Sequence, residues 1–171
     1  MTGRDAIDDV WDQWHRERPE IDPDLLDVMA AVGRMNRLRR HIDQTLRTYF
    51  ARYGLDFSEF DVLATLRRSG GAEGVSAGTL LRSAMVTSGA ITNRVDKLTA
   101  KGLVERSVCA EDRRSVRVKL TPEGIRLVDD ILLGHIENEA RFLAVLDADE
   151  RDLLNNLLRK LLIAQGDTHL G

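Results

Sequence analysis

One cysteine, Cys109, stands in 171 residues, so no internal disulfide framework can form. A lone thiol agrees with a reducing compartment. Proline is nearly as scarce, and only Pro19, Pro23 and Pro122 interrupt the chain. No apolar run approaches the roughly 18 residues that cross a bilayer, which excludes a membrane-spanning helix. Met1 to Val10 is acidic, with no positive stretch leading into an apolar one. The expectation is a cytosolic chain without a signal peptide. There is no internal repeat and no low-complexity segment. A Gly-rich phosphate loop, a nucleophile elbow and a zinc-protease motif are all missing. His15, His41, His135 and His169 are scattered, without metal-ligand spacing to one another or to Cys109. They are expected on the surface or at an interface. No catalytic constellation remains, so neither an enzyme nor a cofactor is expected.

What is present is an ordinary globular composition, 43% hydrophobic and 31% charged. The length suits a single domain with a core of its own. A net charge of −3 argues weakly against nucleic acid when averaged, but its distribution says more. Between Arg94 and Lys119 stand eight basic residues (Arg94, Lys97, Lys101, Arg106, Arg113, Arg114, Arg117, Lys119) against four acids (Asp96, Glu105, Glu111, Asp112). That segment carries +4 and leaves −7 on the rest of the chain.

Apolar spacing predicts a first helix over Asp5 to Arg18, with Ile7, Val10, Trp11 and Trp14 on one side. Asp22-Pro23 starts the next, with Asp22 as N-cap and Pro23 at the first helical position. Its apolar residues run from Leu25 to Tyr53, and Gly54 ends it. A helix of about 30 residues is about 45 Å long. A globule of this size cannot cover such a rod, so a second chain is expected to. Ser58, with Asp61 three residues on, is the expected cap of a helix over Glu59 to Arg68. Ser76 caps a short helix to about Ser83, and Ala84 to Thr87 turns into a further helix, Ser88 to Ala100, closed by Gly102. Period two then predicts strands over Leu103–Val108 and Ser115–Leu120, with the charged tip Glu111-Asp112-Arg113-Arg114 between them. Thr121-Pro122 begins a long helix, and leucines at Leu153, Leu154, Leu157, Leu158, Leu161 and Leu162 mark a last one, Ala148 to Ala164, that needs a partner helix.

Two short helices joined by a tight turn, followed by a basic-tipped hairpin, form a helix-turn-helix unit with a wing. In its second helix Ser88, Thr92, Asn93 and Lys97 have side chains able to bond base edges and phosphates in a major groove. The helix N-terminus adds backbone donors for a phosphate. Arg113 and Arg114 at the hairpin tip suit a flanking minor groove. The alternative is a solvated amphipathic helix and an ordinary hairpin.

Asp112-Arg113-Arg114 and Val116 to Gly124 resemble the wing and exit helix of the MarR (multiple antibiotic resistance regulator) family. Ser88 to Leu98, followed by Lys101-Gly102-Leu103-Val104-Glu105-Arg106, is similar to its recognition helix and first wing strand. The resemblance covers nearly the whole chain. It implies a mainly α fold with a small β-wing, a winged helix-turn-helix with an extra N-terminal helix. Residues 1–57 would serve dimerisation and a ligand pocket, 58–121 would bind DNA, and 122–171 would complete the dimer. Two lobes would then meet half-sites about one helical turn apart on double-stranded DNA.

Trp14 to Asp22 and Glu59 to Arg68 resemble more narrowly the PecS-type, urate-responsive branch. Four ligand-site residues of that branch match Trp14, Asp61, Arg94 and Arg106. The mechanism implied is electrostatic: the arginines bind an anion, Trp14 supplies a wall or a hydrogen bond, and Asp61 is pushed by like charge. The recognition helix then shifts and DNA is released. Each residue also has a plainer reading. Trp14 can simply pack its helix, Asp61 cap its own, Arg94 contact phosphate, and Arg106 pair with a wing carboxylate. Related branches answer to citrate, aconitate or phenolic ligands. Cys109 is read as incidental, because peroxide-sensing relatives carry their cysteine elsewhere. The function implied is a ligand-responsive regulator, a repressor acting as a homodimer. The rival is a winged-helix module that binds protein instead of DNA.

Overall fold

The computed structural model describes residues 3–71, 73–83, 91–108 and 116–169. Its elements are α1 (Ala6–Glu17), α2 (Pro23–Ala51), α3 (Phe57–Ser69), β1 (Val75–Ser76), α4 (Ala77–Ser83), α5 (Ile91–Ala100), β2 (Val104–Val108), β3 (Val116–Leu120), α6 (Pro122–Phe142) and α7 (Ala148–Ala164). They fall into two compact units, Met1–Leu46 and Arg47–Gly171. This is a mostly helical fold with a small antiparallel sheet.

In the first unit, Asp5 caps α1 and forms a reciprocal capping box with Asp8. The Arg34 guanidinium reaches across from α2 to Asp5 at 2.8 Å and Asp8 at 2.6 Å. That contact, then the backbone N–H of Ile7, holds the Asp5 carboxyl below its ordinary pKa. At the head of α2, Asp22 accepts from the Asp24 N–H at 2.9 Å, and Pro23 costs nothing where no helical donor is needed. Leu26 and Ala30 are buried, whereas Leu25, Val28, Val32, Met35, Leu38 and Ile42 are exposed.

The second unit is organised on α3, which is buried nearly all round by Phe60, Asp61, Val62, Leu63, Thr65 and Leu66. Such a helix belongs at a centre, and it packs against α4, α5, α6 and β3. Its cap is Asp56, boxed with Glu59, and not Ser58 as the spacing suggested. Asp56 binds the Glu59 N–H at 2.8 Å while Glu59 binds the Asp56 N–H at 3.0 Å. With Asp56 as the cap the helix already begins at Phe57, which places Ser58 inside the first turn, where it cannot serve as N-cap. Just before it, α2 ends in a Schellman turn: Gly54 sits at φ 67°, its N–H meets the Ala51 carbonyl, and Leu55 bonds back to Phe50.

Phe50 is fully buried, stacks on Phe60 at 4.5 Å between centroids, and lies 5.3 Å from the His135 ring. His15, His41 and His169 are exposed as expected. His135 is not: its side chain is 12% exposed, because the buried face of α6 carries it against these rings. Tyr49 donates to the Ile131 carbonyl at 2.8 Å, and burial together with the Tyr53 hydroxyl pushes its phenol up to about 12.

The sheet has three strands in the order β1-β3-β2. Val104 pairs with Leu120 and Val108 with Val116, the hairpin expected from period two. Val75 and Ser76 add a short third strand against Val118 and Arg117. Two residues are too few to show a period. Thr121 then caps α6, accepting from the Gly124 N–H at 3.0 Å. No residue of α7 is buried.

Arg67 of α3 forms a forked pair with Asp129 of α6, at 2.9 and 3.2 Å. The guanidinium holds the Asp129 carboxyl below its ordinary range. A depressed folded-state pKa means that the pair stabilises above the unfolded value, about 3.9 for Asp, and that this is lost as pH falls through the folded value. Asp129→Asn should therefore melt earlier than the parent protein near neutral pH, with the gap closing in acid. Melting curves from pH 7 downward test it, and a gap that persists or widens in acid would contradict the assignment.

Candidate nucleic-acid interface

The two sides of α5 are chemically distinct. Ile91, Val95 and Leu98, at i, i+4 and i+7, are buried. Thr92, Asn93, Asp96 and Lys97 are exposed together on another face. The period is 3.6, so burial of one stripe forces the polar one outward. Three of the residues singled out for DNA, namely Thr92, Asn93 and Lys97, therefore share one accessible surface. Ser88, Arg113, Arg114 and Cys109 lie outside the described residues.

The helix closes in a second Schellman turn. Gly102 sits at φ 71° and donates to Thr99 at 2.9 Å, and Leu103 donates to Leu98 at 3.0 Å. Leu98 and Leu103 are both buried, which adds the hydrophobic contact that accompanies this motif.

Part of the basic excess is matched internally. Lys101 turns away from the exposed face to Glu59, with its Nζ 2.8 Å from both carboxylate oxygens and 2.8 Å from the Gly54 carbonyl. It does not belong with Arg94 and Lys97 as a contributor to the charge of this helix. Arg106 pairs with Asp96 at 2.6 Å, and Lys119 with Glu105 at 3.2 Å. Arg117 donates to the Gly74 carbonyl at 3.2 Å.

The four ligand candidates fall on different elements. Asp61 lies on α3, is 3% exposed and interacts within the fold. Its helix is capped by Asp56, so capping is not its role. Arg94 lies on α5, half-buried, with Nη1 buried and without a hydrogen-bond acceptor among the described residues. Arg106 lies on β2, exposed, and pairs with Asp96 of α5. The elements α3 and α5 pack together, as do α5 and β2. Trp14 lies on α1 in the other unit and is 45% exposed. Its neighbour Trp11 is half-buried, stacks on His15 at 4.9 Å, and has an indole N–H that is buried without an acceptor among the described residues. Spacing could not choose between two tryptophans three residues apart. Nor did it reveal Glu59 and Lys101 as a pair, although Asp56-x-x-Glu59 was there as a capping signature.

A model of the MarR family matches residues 53–115. The chain is 34% identical over 155 residues to the HTH-type transcriptional regulator PecS of Dickeya dadantii, covering 91% of this chain and 92% of that protein. The chain belongs to the MarR family. Wild-type MarR of Escherichia coli in its apo form superposes with a TM-score of 0.63 at 30% identity, over 76% of this chain and 96% of that one. A mutant MarR of Escherichia coli in complex with operator DNA superposes with a TM-score of 0.70 at 28% identity, over 81% of this chain and 98% of that one. Like these MarR-family proteins, the chain is a DNA-binding transcription regulator and not an enzyme. Its fold is the MarR-type winged helix. Among the described residues no helix is long and apolar enough to cross a membrane.

Proposed function

We propose that this regulator binds a pseudopalindromic operator as a homodimer, represses from it, and releases it when a small anion such as urate binds. Arg94 carries the ligand part of this reading: a guanidinium nitrogen buried without an acceptor among the described residues, on the helix whose outer face offers Thr92, Asn93 and Lys97. A buried donor left unpaired costs about 1–3 kcal/mol, which a carboxylate or urate anion would relieve. Binding there acts directly on α5. The ligand shifts DNA affinity only as far as it prefers the conformation that does not fit DNA. Asp61 on the neighbouring helix and Arg106 on β2 complete the proposed effector set. Ser88, Arg113 and Arg114 complete the DNA set. Residues 58–121 form the reading lobe, with 1–57 and 122–171 making the dimer. The exposed apolar stripe of α2 and the exposed leucines of α7, none of whose residues is buried, support that division.

Fluorescence anisotropy of labelled DNA from upstream of the protein's own gene tests the reading, first with protein and then with urate. Binding should be tight, weaken steeply with salt as counterions are released, and reverse with urate. Thr92→Ala and Asn93→Ala should each lose about 1–3 kcal/mol of discrimination against random DNA. Arg94→Ala should keep binding but lose the urate response. Undiminished urate sensitivity in both Arg94→Ala and Asp61→Ala would remove the effector site. Tight binding that urate leaves intact, but citrate, aconitate or a phenol reverses, would keep the site and change its ligand.

A further inference from the structure

Lys101 looks at first like one more cation on a DNA-binding helix, but its surroundings point elsewhere. It is the C-cap residue of α5, and its own N–H bonds to the Lys97 carbonyl at 3.0 Å. Its ammonium lies 2.8 Å from both oxygens of Glu59 and 2.8 Å from the carbonyl of Gly54. Those acceptors belong to other helix ends: Gly54 closes α2, and Glu59 is the reciprocal partner in the capping box that opens α3. Glu59 is 4% exposed. One ammonium thus joins three helix termini.

From this we infer that Lys101 and Glu59 are positioning residues that set the angle at which α5 is presented to DNA, Lys101 making no phosphate contact itself. The physical reason is the cost of leaving a carboxylate buried without its counter-charge. If the C-terminal end of α5 moves away, Glu59 keeps, among the described residues, only the backbone N–H of Asp56. The end of α5 therefore has one low-energy place, and the face bearing Thr92, Asn93 and Lys97 inherits its orientation from it. The inference rests on α5 being the helix that reads DNA.

The test uses the full chain with Glu59→Gln, Lys101→Met and the double variant. Glutamine keeps the capping acceptor and the shape of Glu59, so Glu59→Gln is the variant expected to fold in any case. Each single change should weaken binding to the upstream DNA about tenfold. The double should be no worse than either single, as expected of neighbours in one network. The salt dependence should stay parental, because no phosphate contact is lost. A phosphate-binding Lys101 would instead lower the salt slope by about 1 in Lys101→Met and leave Glu59→Gln silent. That outcome overturns the proposal. So do losses that add in the double, and a lowered melting temperature with parental DNA affinity measured well below it. Thr92→Ala and Asn93→Ala run beside them. If these are silent, α5 is not the reader and the positioning role falls with it. If they blunt discrimination while Glu59→Gln is silent, only the positioning role fails.

Discussion

Gly124→Ala is expected to cost about 3 kcal/mol, at the upper end for a methyl forced into a closed site. For a chain of this length that lowers the melting temperature by about 10 °C. An ideal Cβ on Gly124 would lie inside van der Waals contact with the Leu103 carbonyl oxygen, 3.0 Å from its carbonyl carbon and 3.2 Å from Leu120 Cδ2. The obstacle is backbone, and that backbone is already committed. The Leu103 carbonyl accepts from Thr121 at 3.1 Å, and the Thr121 hydroxyl donates to the Gly102 carbonyl at 2.7 Å. Room for a methyl requires α6 to lift from the exit of α5, loosening both bonds. Gly134→Ala is the comparison: its Cβ meets the Tyr49 hydroxyl, the end of a side chain. Moving it sacrifices the bond to Ile131, about 1 kcal/mol. Urea denaturation of the two variants separates the cases, and a Gly124→Ala no less stable than Gly134→Ala would refute the close-approach account.

Leu157→Arg with Leu161→Arg in α7 should abolish dimerisation and weaken operator binding by about 100-fold or more, the loss expected when two linked half-sites become independent. Within one chain α7 buries none of its residues, and Leu153, Leu157, Leu158, Leu161, Leu162 and Ile163 all stand exposed. Each leucine covered by a partner would contribute about 1.5–3 kcal/mol. In a two-fold interface every substitution acts twice. Sedimentation at micromolar concentration would show the change of mass, and anisotropy on the upstream DNA the loss of affinity. A double variant that remains dimeric would move the interface away from α7.

Local chemistry made most element boundaries legible. Asp5, Asp22-Pro23, Ser76 and Thr121-Pro122 each place a side-chain acceptor or a proline where a helix must begin, and each helix begins there. Leucine spacing likewise bounded α7. Alternation of polar and apolar residues marked β2 and β3 but was blind to Val75–Ser76, whose strand character exists only because β3 lies beside it. Ser58 was the wrong cap because the capping box of Asp56 and Glu59 starts the helix two residues earlier. The polar face of α5, with Thr92, Asn93 and Lys97, was readable from the periodicity alone.

Partnership was not readable. Lys101 counts as a free cation in any tally of charge, and only the fold sets it against Glu59, 42 residues away in the chain. Arg106 and Asp96 are matched by the turn at Gly102, and His135 is drawn inward by Phe50 and Phe60. By itself the sequence determined where helices and strands start, which stripe of each is apolar, and the family pattern of a DNA-binding regulator. The tertiary structure alone decided which charges are cancelled, which donor of Arg94 has no acceptor among the described residues, and why position 124 admits nothing larger than glycine. The division follows from range: caps and periodicity act within a few residues, whereas burial and ion pairing depend on what the folded chain brings alongside.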